Sequence, residues 1–465
     1  MKITLVLDSA IKKGITYAFI GILRSGVSFL ILPLYTLHMT TSEYGEYSLL
    51  LSSTWLVAMV VVGPIRAGLT RYFYQFVNKT RLISSVFGYV IIVTILLFIL
   101  LLAFKRMLID NTSINGGILY DVFLFIILLM PLASLLNKIG ENFQEPERLL
   151  RISIVNTIFT QTVTIIALVW LDLGPVAIAL GFLLQQFIQM TYLGYIYRNF
   201  IRVNEVSFNI IIRCLKVGLP LIFSSIAILL MESIDRWIIS DLLSLEAAGI
   251  YSYSYKISTI ITILITVPFR QIINPLLNEM EATDASGLLN SLKYRSRQFI
   301  SLAIFISFLV SILAEDISII MSPNRDFSNG WQIVPILALG YVFYGLKDLA
   351  LKPLYFANKY TLISVIYIFS AILNIILNYA LIPDYGYSGA AFATSVSYAF
   401  MFLIFYMFSR LTVKEVFIDG KVLIILLLTN VGFFLLHLVF DGLLMKALLL
   451  ITSALVTILV FKFIK

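Results

Sequence analysis

Long apolar runs, each close to the length that crosses a bilayer, follow one another along almost the whole sequence with only short polar clusters between them. About 20 residues of helix span the hydrocarbon layer. A water-soluble domain would instead alternate apolar and polar residues at helical or strand periods. Charged residues make up 12% and hydrophobic residues 60% of the chain. The mean hydropathy of +0.99 leaves too little polar surface to coat a soluble particle. The expected fold class is therefore all-α integral membrane. Fourteen helices are expected, at about 14–38, 46–70, 82–104, 120–140, 152–171, 175–197, 215–241, 248–275, 298–321, 331–351, 361–382, 388–409, 421–440 and 443–463. The first run has no Ala-x-Ala-like exit and reads as a span rather than a cleaved signal.

Cations set the expected orientation. With the N-terminus placed in the cytoplasm, twenty-three Lys and Arg fall on the cytoplasmic side and four, Lys105, Arg106, Arg325 and Lys446, on the other. This bias over short loops is the positive-inside pattern. It predicts an even number of spans with both termini inside. It also accounts for the net charge of +8 through contact with anionic lipid head groups, without nucleic acid.

A faint repeat suggests how the helices are organised. Gly45-Glu46-Tyr47-Ser48 after Glu43 matches Gly249-Ile250-Tyr251-Ser252 after Glu246, and Pro175-Val176-Ala177-Ile178-Ala179 matches Gly389-Ala390-Ala391-Phe392-Ala393. The expected architecture is two parallel six-helix lobes, 1–204 and 205–410, with an additional helix pair at 411–465. Repeats of this kind in transporters hold substrate at their interface.

Several chemistries find no support. Gly420-Lys421 is followed by Val422, so no phosphate-binding G-x-x-x-x-G-K-[ST] loop is present, and neither H-E-x-x-H nor G-x-S-x-G occurs. Cys214 is the single cysteine, and His38 and His437 are far apart. No metal, no cofactor and no enzymatic activity are expected.

The charges inside the spans carry the functional reading. Arg24, Arg66, Arg236, Lys256, Arg270 and Lys347 are six cations, against Glu232, Asp235 and Asp348 as the clearest acids. A charge in hydrocarbon is costly and normally faces a bundle interior or a wet cavity, or snorkels to the interface. Arg24 lies too deep for its stem to reach the head groups. Arg66 follows Gly63-Pro64, and Arg270 follows Pro268 with Pro275 beyond; interrupted helices are tolerated where they line cavities. Glu232 and Arg236 are spaced to pair within one helix, as are Asp348 and Lys352. Asp235 could meet Lys256, and Lys347 reads as snorkelling. The excess of positive charge suits an anionic passenger, and Arg matches phosphate oxygens two at a time.

The chain resembles the polysaccharide flippases of the multidrug/oligosaccharidyl-lipid/polysaccharide exporter superfamily, including the O-antigen and exopolysaccharide flippases. Leu32-Pro33-Leu34-Tyr35-Thr36 with Glu43-Tyr44-Gly45-Glu46-Tyr47 carries the resemblance first. Gly218-Leu219-Pro220-Leu221-Ile222 with Ile234-Asp235-Arg236 and Ala248-Gly249-Ile250-Tyr251 carries it next. Asn374-Ile375-Ile376-Leu377-Asn378 with Leu381-Ile382-Pro383, Tyr385-Gly386 and Gly389-Ala390-Ala391 completes it. It implies two lobes around a cationic cavity in a bacterial inner membrane. It also implies a substrate of undecaprenyl diphosphate bearing an oligosaccharide, with membrane lipid and a polysaccharide polymerase machinery as partners.

The expected function is alternating-access flipping of that lipid from the cytoplasmic to the outer leaflet. Arg24 and Arg270 would hold the diphosphate, with Arg66 and Lys256 as secondary contacts. Glu232, Asp235, Arg236, Lys347 and Asp348 would serve as coupling or structural ion pairs. A multidrug exporter of the same superfamily is the first alternative, although it would favour an acidic cavity. A membrane-embedded polymerase or ligase is the second, although the large outer loop usual in such enzymes is missing. A scaffold would not need repeated intramembrane charge.

Overall fold

The computed structural model describes residues 16, 19–23, 25–110, 117–271, 273, 277, 285–413, 418, 420–439 and 442–463. Among them every regular element is helical. The long helices are α1 (Phe19–Leu37), α2 (Thr41–Tyr72), α3 (Lys79–Ala103), α4 (Ile118–Asn142), α5 (Pro146–Val169), α6 (Pro175–Tyr197), α7 (Phe208–Leu242), α8 (Leu245–Gln271), α9 (Ala285–Ile312), α10 (Val334–Ala350), α11 (Tyr360–Val413), α12 (Gly420–Val439) and α13 (Leu443–Phe463).

By length and apolar character, ten helices qualify as spans among the described residues, or eleven when α7, bent by 52° between Leu219 and Leu221, is counted as one. The chain is a multi-pass membrane protein. This count over the described residues does not reach the expected fourteen. The expected pair 361–382 and 388–409 lies within Tyr360–Val413, where two helices meet at a kink at Gly386 (φ 58°, ψ −145°, not helical). The expected last pair corresponds to α12 and α13, of 20 and 21 residues.

Contacts divide the chain into two compact units, Leu34–Gly249 and Met1–Pro33 with Ile250–Lys465. The sequence repeat, drawn at 204/205 and 410/411, is a statement about similarity, whereas these units are statements about which helices touch.

The Leu34–Gly249 unit is built on α2. Thr40 and Glu43 form a capping box: the Glu43 N–H donates to the Thr40 hydroxyl oxygen at 3.2 Å, and the Thr40 N–H donates to the Glu43 carboxylate at 2.8 Å. Glycines then let backbones meet along α2. A Cβ at Gly68 would lie 2.4 Å from Cys214 Cα, one at Gly218 would lie 1.6 Å from the Pro64 carbonyl oxygen, and one at Gly45 would lie 2.1 Å from the Leu245 carbonyl oxygen. In a membrane, where water supplies little drive for helices to associate, close approach at small residues is a main source of cohesion. The residues after α6 are tied to α3 by two serines. Ser84 Oγ donates to the Phe200 carbonyl at 3.0 Å and accepts from the Arg202 N–H at 2.9 Å, and Ser85 Oγ accepts from the Ser207 N–H at 2.8 Å.

In the other unit α9 carries the C-terminal pair. Phe308 and Ile312 of α9 form a buried cluster with Leu449 of α13, and Lys446 pairs with Asp316 at 2.7 Å.

The same turn chemistry appears twice. Gln144 (φ 58°) ends α4 and Asn358 (φ 57°) precedes α11, 214 residues apart. At both, the next amide reaches back five residues: Glu145 N–H to the Gly140 carbonyl at 3.3 Å, and Lys359 N–H to the Leu354 carbonyl at 2.9 Å. This is the left-handed helix stop with its 6→1 bond. Gly174 (φ 51°) before α6 and Gly386 (φ 58°) within α11 form a second matching pair, 212 residues apart.

Candidate functional site

Within the unit that holds Ile250–Lys465, the intramembrane charges gather around α10. Arg270 reaches this region from α8. Pro268 lacks an N–H, and the turn before it widens to π geometry over Thr262–Thr266. Arg270 Nη1 stands 3.9 Å from Asp348 Oδ2, and Lys347 Nζ donates to Asp348 Oδ1 at 3.0 Å. Arg270 remains 43% exposed along its side chain, whereas Lys347 is 3% exposed. Lys347 Nζ lies 4.1 Å from the Tyr344 ring centroid and 5.7 Å from that of Tyr367. Ring faces attract a cation, so this lysine is held by one carboxylate and two aromatic faces. Lys352, also buried, lies over Tyr355 and Phe356 at 5.7 and 5.9 Å. Thr266, Phe269, Phe299, Gly345 and Leu349 line a cleft with Arg270 and Asp348 at its wall. Arg270 and Lys347 share one carboxylate and Lys352 is buried nearby in sequence, which leaves this region net positive.

Two expectations about α10 change. Lys347 does not snorkel; its neighbours Asp348, Tyr344 and Tyr367 hold it inside. Asp348 takes Lys347 and Arg270 as its partners instead of Lys352, because α10 ends at Ala350 and Lys352 opens a new short helix, Lys352–Phe356. The tyrosines were missed in the sequence. Tyr344 and Lys347 stand three residues apart on one helical face, a signal open to inspection. Tyr367 comes from α11 and carries no such signal. Beyond this shell the tyrosine rings continue, with Tyr344 and Tyr398 4.9 Å apart and Tyr255 and Tyr341 5.7 Å apart.

The remaining candidates fall elsewhere. Lys256 Nζ donates to Ser28 Oγ at 3.2 Å in the same unit. In the Leu34–Gly249 unit, Arg66 stands 3.8 Å from Glu141, whose carboxylate also takes Lys138 at 2.8 Å. Lys138 and Glu141 had not been singled out as partners of Arg66. Arg236 Nη1 donates to the main-chain carbonyl of Glu232 at 2.7 Å, and Asp235 is buried. Arg24 and Pro275 lie outside the described residues. Among the described residues no group of three or more His, Cys, Asp or Glu side chains could hold a metal ion.

The fold has clear relatives. The chain is similar to the lipid II flippase MurJ in an inward closed conformation, at 15% identity, covering 98% of each chain with a TM-score of 0.72. It is similar to an inward-facing multidrug resistance MATE family transporter of the MOP superfamily, at 12% identity, covering 86% of this chain and 94% of that one with a TM-score of 0.68. A MOP superfamily transporter from Pyrococcus furiosus, described as having a binding pocket of reverse polarity, matches at 14% identity over 87% of this chain and 96% of that one, with a TM-score of 0.61. No curated protein matches the chain in sequence. Residues 10–281, more than half of the chain, match the family described as polysaccharide biosynthesis protein. By this match the chain belongs to the polysaccharide biosynthesis protein family.

Proposed function

We propose that this protein flips a polyprenyl-diphosphate-linked oligosaccharide from the cytoplasmic to the outer leaflet of a bacterial inner membrane, for assembly of a cell-surface polysaccharide. The observation that carries the reading is the sign of the charge around α10, where Arg270 and Lys347 share one carboxylate, Asp348, and a further lysine, Lys352, is buried just beyond the helix. A multidrug exporter that moves cations would be served by the opposite sign. Arg270 holds the diphosphate together with Arg24, and Arg66 and Lys256 are secondary contacts. Glu232, Asp235 and Arg236 are coupling or structural groups. The two halves of the sequence repeat, 1–204 and 205–410, are the moving lobes of an alternating-access cycle, with 411–465 an added pair. Both termini lie in the cytoplasm, as the cation bias requires. A membrane potential, inside negative, favours outward movement of anionic charge by about 2.3 kcal/mol per charge per 100 mV, so a diphosphate that crosses without a compensating charge needs no ATP; ion antiport is the alternative drive.

The test uses liposomes that contain the purified chain and a fluorescent polyprenyl-diphosphate oligosaccharide, with transfer between leaflets as the readout. Wild-type protein is expected to accelerate transfer well above protein-free liposomes. Arg24→Ala is expected to slow it by about tenfold or more, the value of a lost charge-assisted contact. Transfer that ignores the substitution keeps the flippase and removes Arg24 from its site. Transfer no faster than in protein-free liposomes overturns the reading.

A further inference from the structure

The contacts of Asp348 are unequal in a way that a purely structural ion pair does not require. Its Oδ1 accepts from Lys347 Nζ at 3.0 Å. Its Oδ2 is buried, has no hydrogen-bond partner, and faces Arg270 Nη1 at 3.9 Å, beyond hydrogen-bond length. Lys347 is fixed from the far side by the Tyr344 and Tyr367 rings, which anchors the carboxylate one residue on. Arg270 is tethered loosely and keeps 43% of its side chain exposed, at the wall of the cleft that Thr266, Phe269 and Phe299 also line.

We propose that Asp348 is a resident stand-in anion, held by Lys347 just out of hydrogen-bond range of Arg270, which keeps that half-exposed guanidinium available and yields it to the passenger's diphosphate. This rests on the flippase reading above and adds a release device to it. A guanidinium with no counter-charge would hold a diphosphate tightly and slow each turnover. A guanidinium fully paired with a carboxylate would not bind one at all. The long Arg270–Asp348 contact lies between these limits, and Lys347 sets its length by holding Oδ1. Asp348 is therefore a positioning residue, and the two members of the Lys347–Asp348 pair have opposite effects on affinity.

That opposition provides the test. The full chain in lipid nanodiscs is titrated calorimetrically with geranylgeranyl diphosphate. Asp348→Asn removes the competing charge and is expected to tighten binding about threefold to tenfold. Lys347→Met releases the carboxylate to pair fully with Arg270 and is expected to weaken binding by a similar factor. Asp348→Glu, which keeps the charge, is expected to stay closer to wild type than Asp348→Asn. A structural role alone would make Asp348→Asn and Lys347→Met both bind more weakly, in step with lost thermal stability, and that result would overturn the stand-in. Unchanged affinity in Asp348→Asn would overturn it as well, while wild-type binding still upholds the flippase. Failure of wild type and every variant to bind the diphosphate would instead remove the flippase reading and the stand-in with it.

Discussion

Gly218→Leu is expected to yield no folded protein. A Cβ at this position would sit 1.6 Å from the Pro64 carbonyl oxygen, 2.4 Å from its carbonyl carbon and 2.7 Å from its Cα. All three are backbone atoms of a packed helix, so no rotamer change can relieve the clash, and α2 and α7 must separate. Overpacking a fitted interior costs about 1–3 kcal/mol even when side chains can yield, and here the cost is larger. The same substitution at Gly68, 2.4 Å from Cys214 Cα, is expected to act alike. Gly432→Ala is the control: nothing lies within 4 Å of the added carbon, and alanine is the better helix former by about 1 kcal/mol. Size-exclusion chromatography and thermal melting of the three detergent-solubilised variants give the comparison. A monodisperse Gly218→Leu with a wild-type melting temperature would show that the α2–α7 contact is not what holds the unit together.

Arg270→Ala is expected to lower the rate of lipid transfer by about tenfold to a hundredfold, the range for one charge-assisted contact to an anion, while the protein still folds. Its side chain is 43% exposed and its ion pair is long, so stability should change little. Arg270→Lys keeps the charge but loses the fork that meets two phosphate oxygens at once, and is expected to fall between alanine and wild type. The rate of leaflet transfer at matched protein density measures both. A full wild-type rate in Arg270→Ala would take the cleft out of the transport path.

Spans were legible because each apolar run must satisfy its own backbone as a helix, and the helices at 46–70, 82–104 and 120–140 correspond to α2, α3 and α4. Gly386 was legible too: Pro383-Asp384-Tyr385-Gly386 reads as a break between two spans, and its non-helical φ 58° and ψ −145° divide the 54 residues there into two helices. The matching stops at Gln144 and Asn358 were illegible because neither is a glycine, the usual mark of a left-handed position. Arg270 and Asp348 were visible as charges in apolar surroundings, but not as partners. They lie 78 positions apart in the chain, and only the fold brings α8 to α10. The adjacency of Lys347 and Asp348 misled in the other direction. Neighbouring positions on a helix do not face each other, so the spacing favoured Lys352, yet the fold gave Asp348 to Lys347 by burying the lysine between Tyr344 and Tyr367.

The central claim is that the passenger is an anionic, lipid-linked oligosaccharide, and the most direct measurement sets two passengers against each other in the same proteoliposomes. One is a fluorescent polyprenyl-diphosphate oligosaccharide whose leaflet is reported by a membrane-impermeant quencher. The other is a cationic dye driven by an imposed sodium or proton gradient. The charge around Arg270, Lys347 and Lys352 predicts rapid transfer of the lipid-linked sugar and no dye movement above protein-free vesicles. Gradient-driven dye transport with no transfer of the lipid-linked sugar would contradict it.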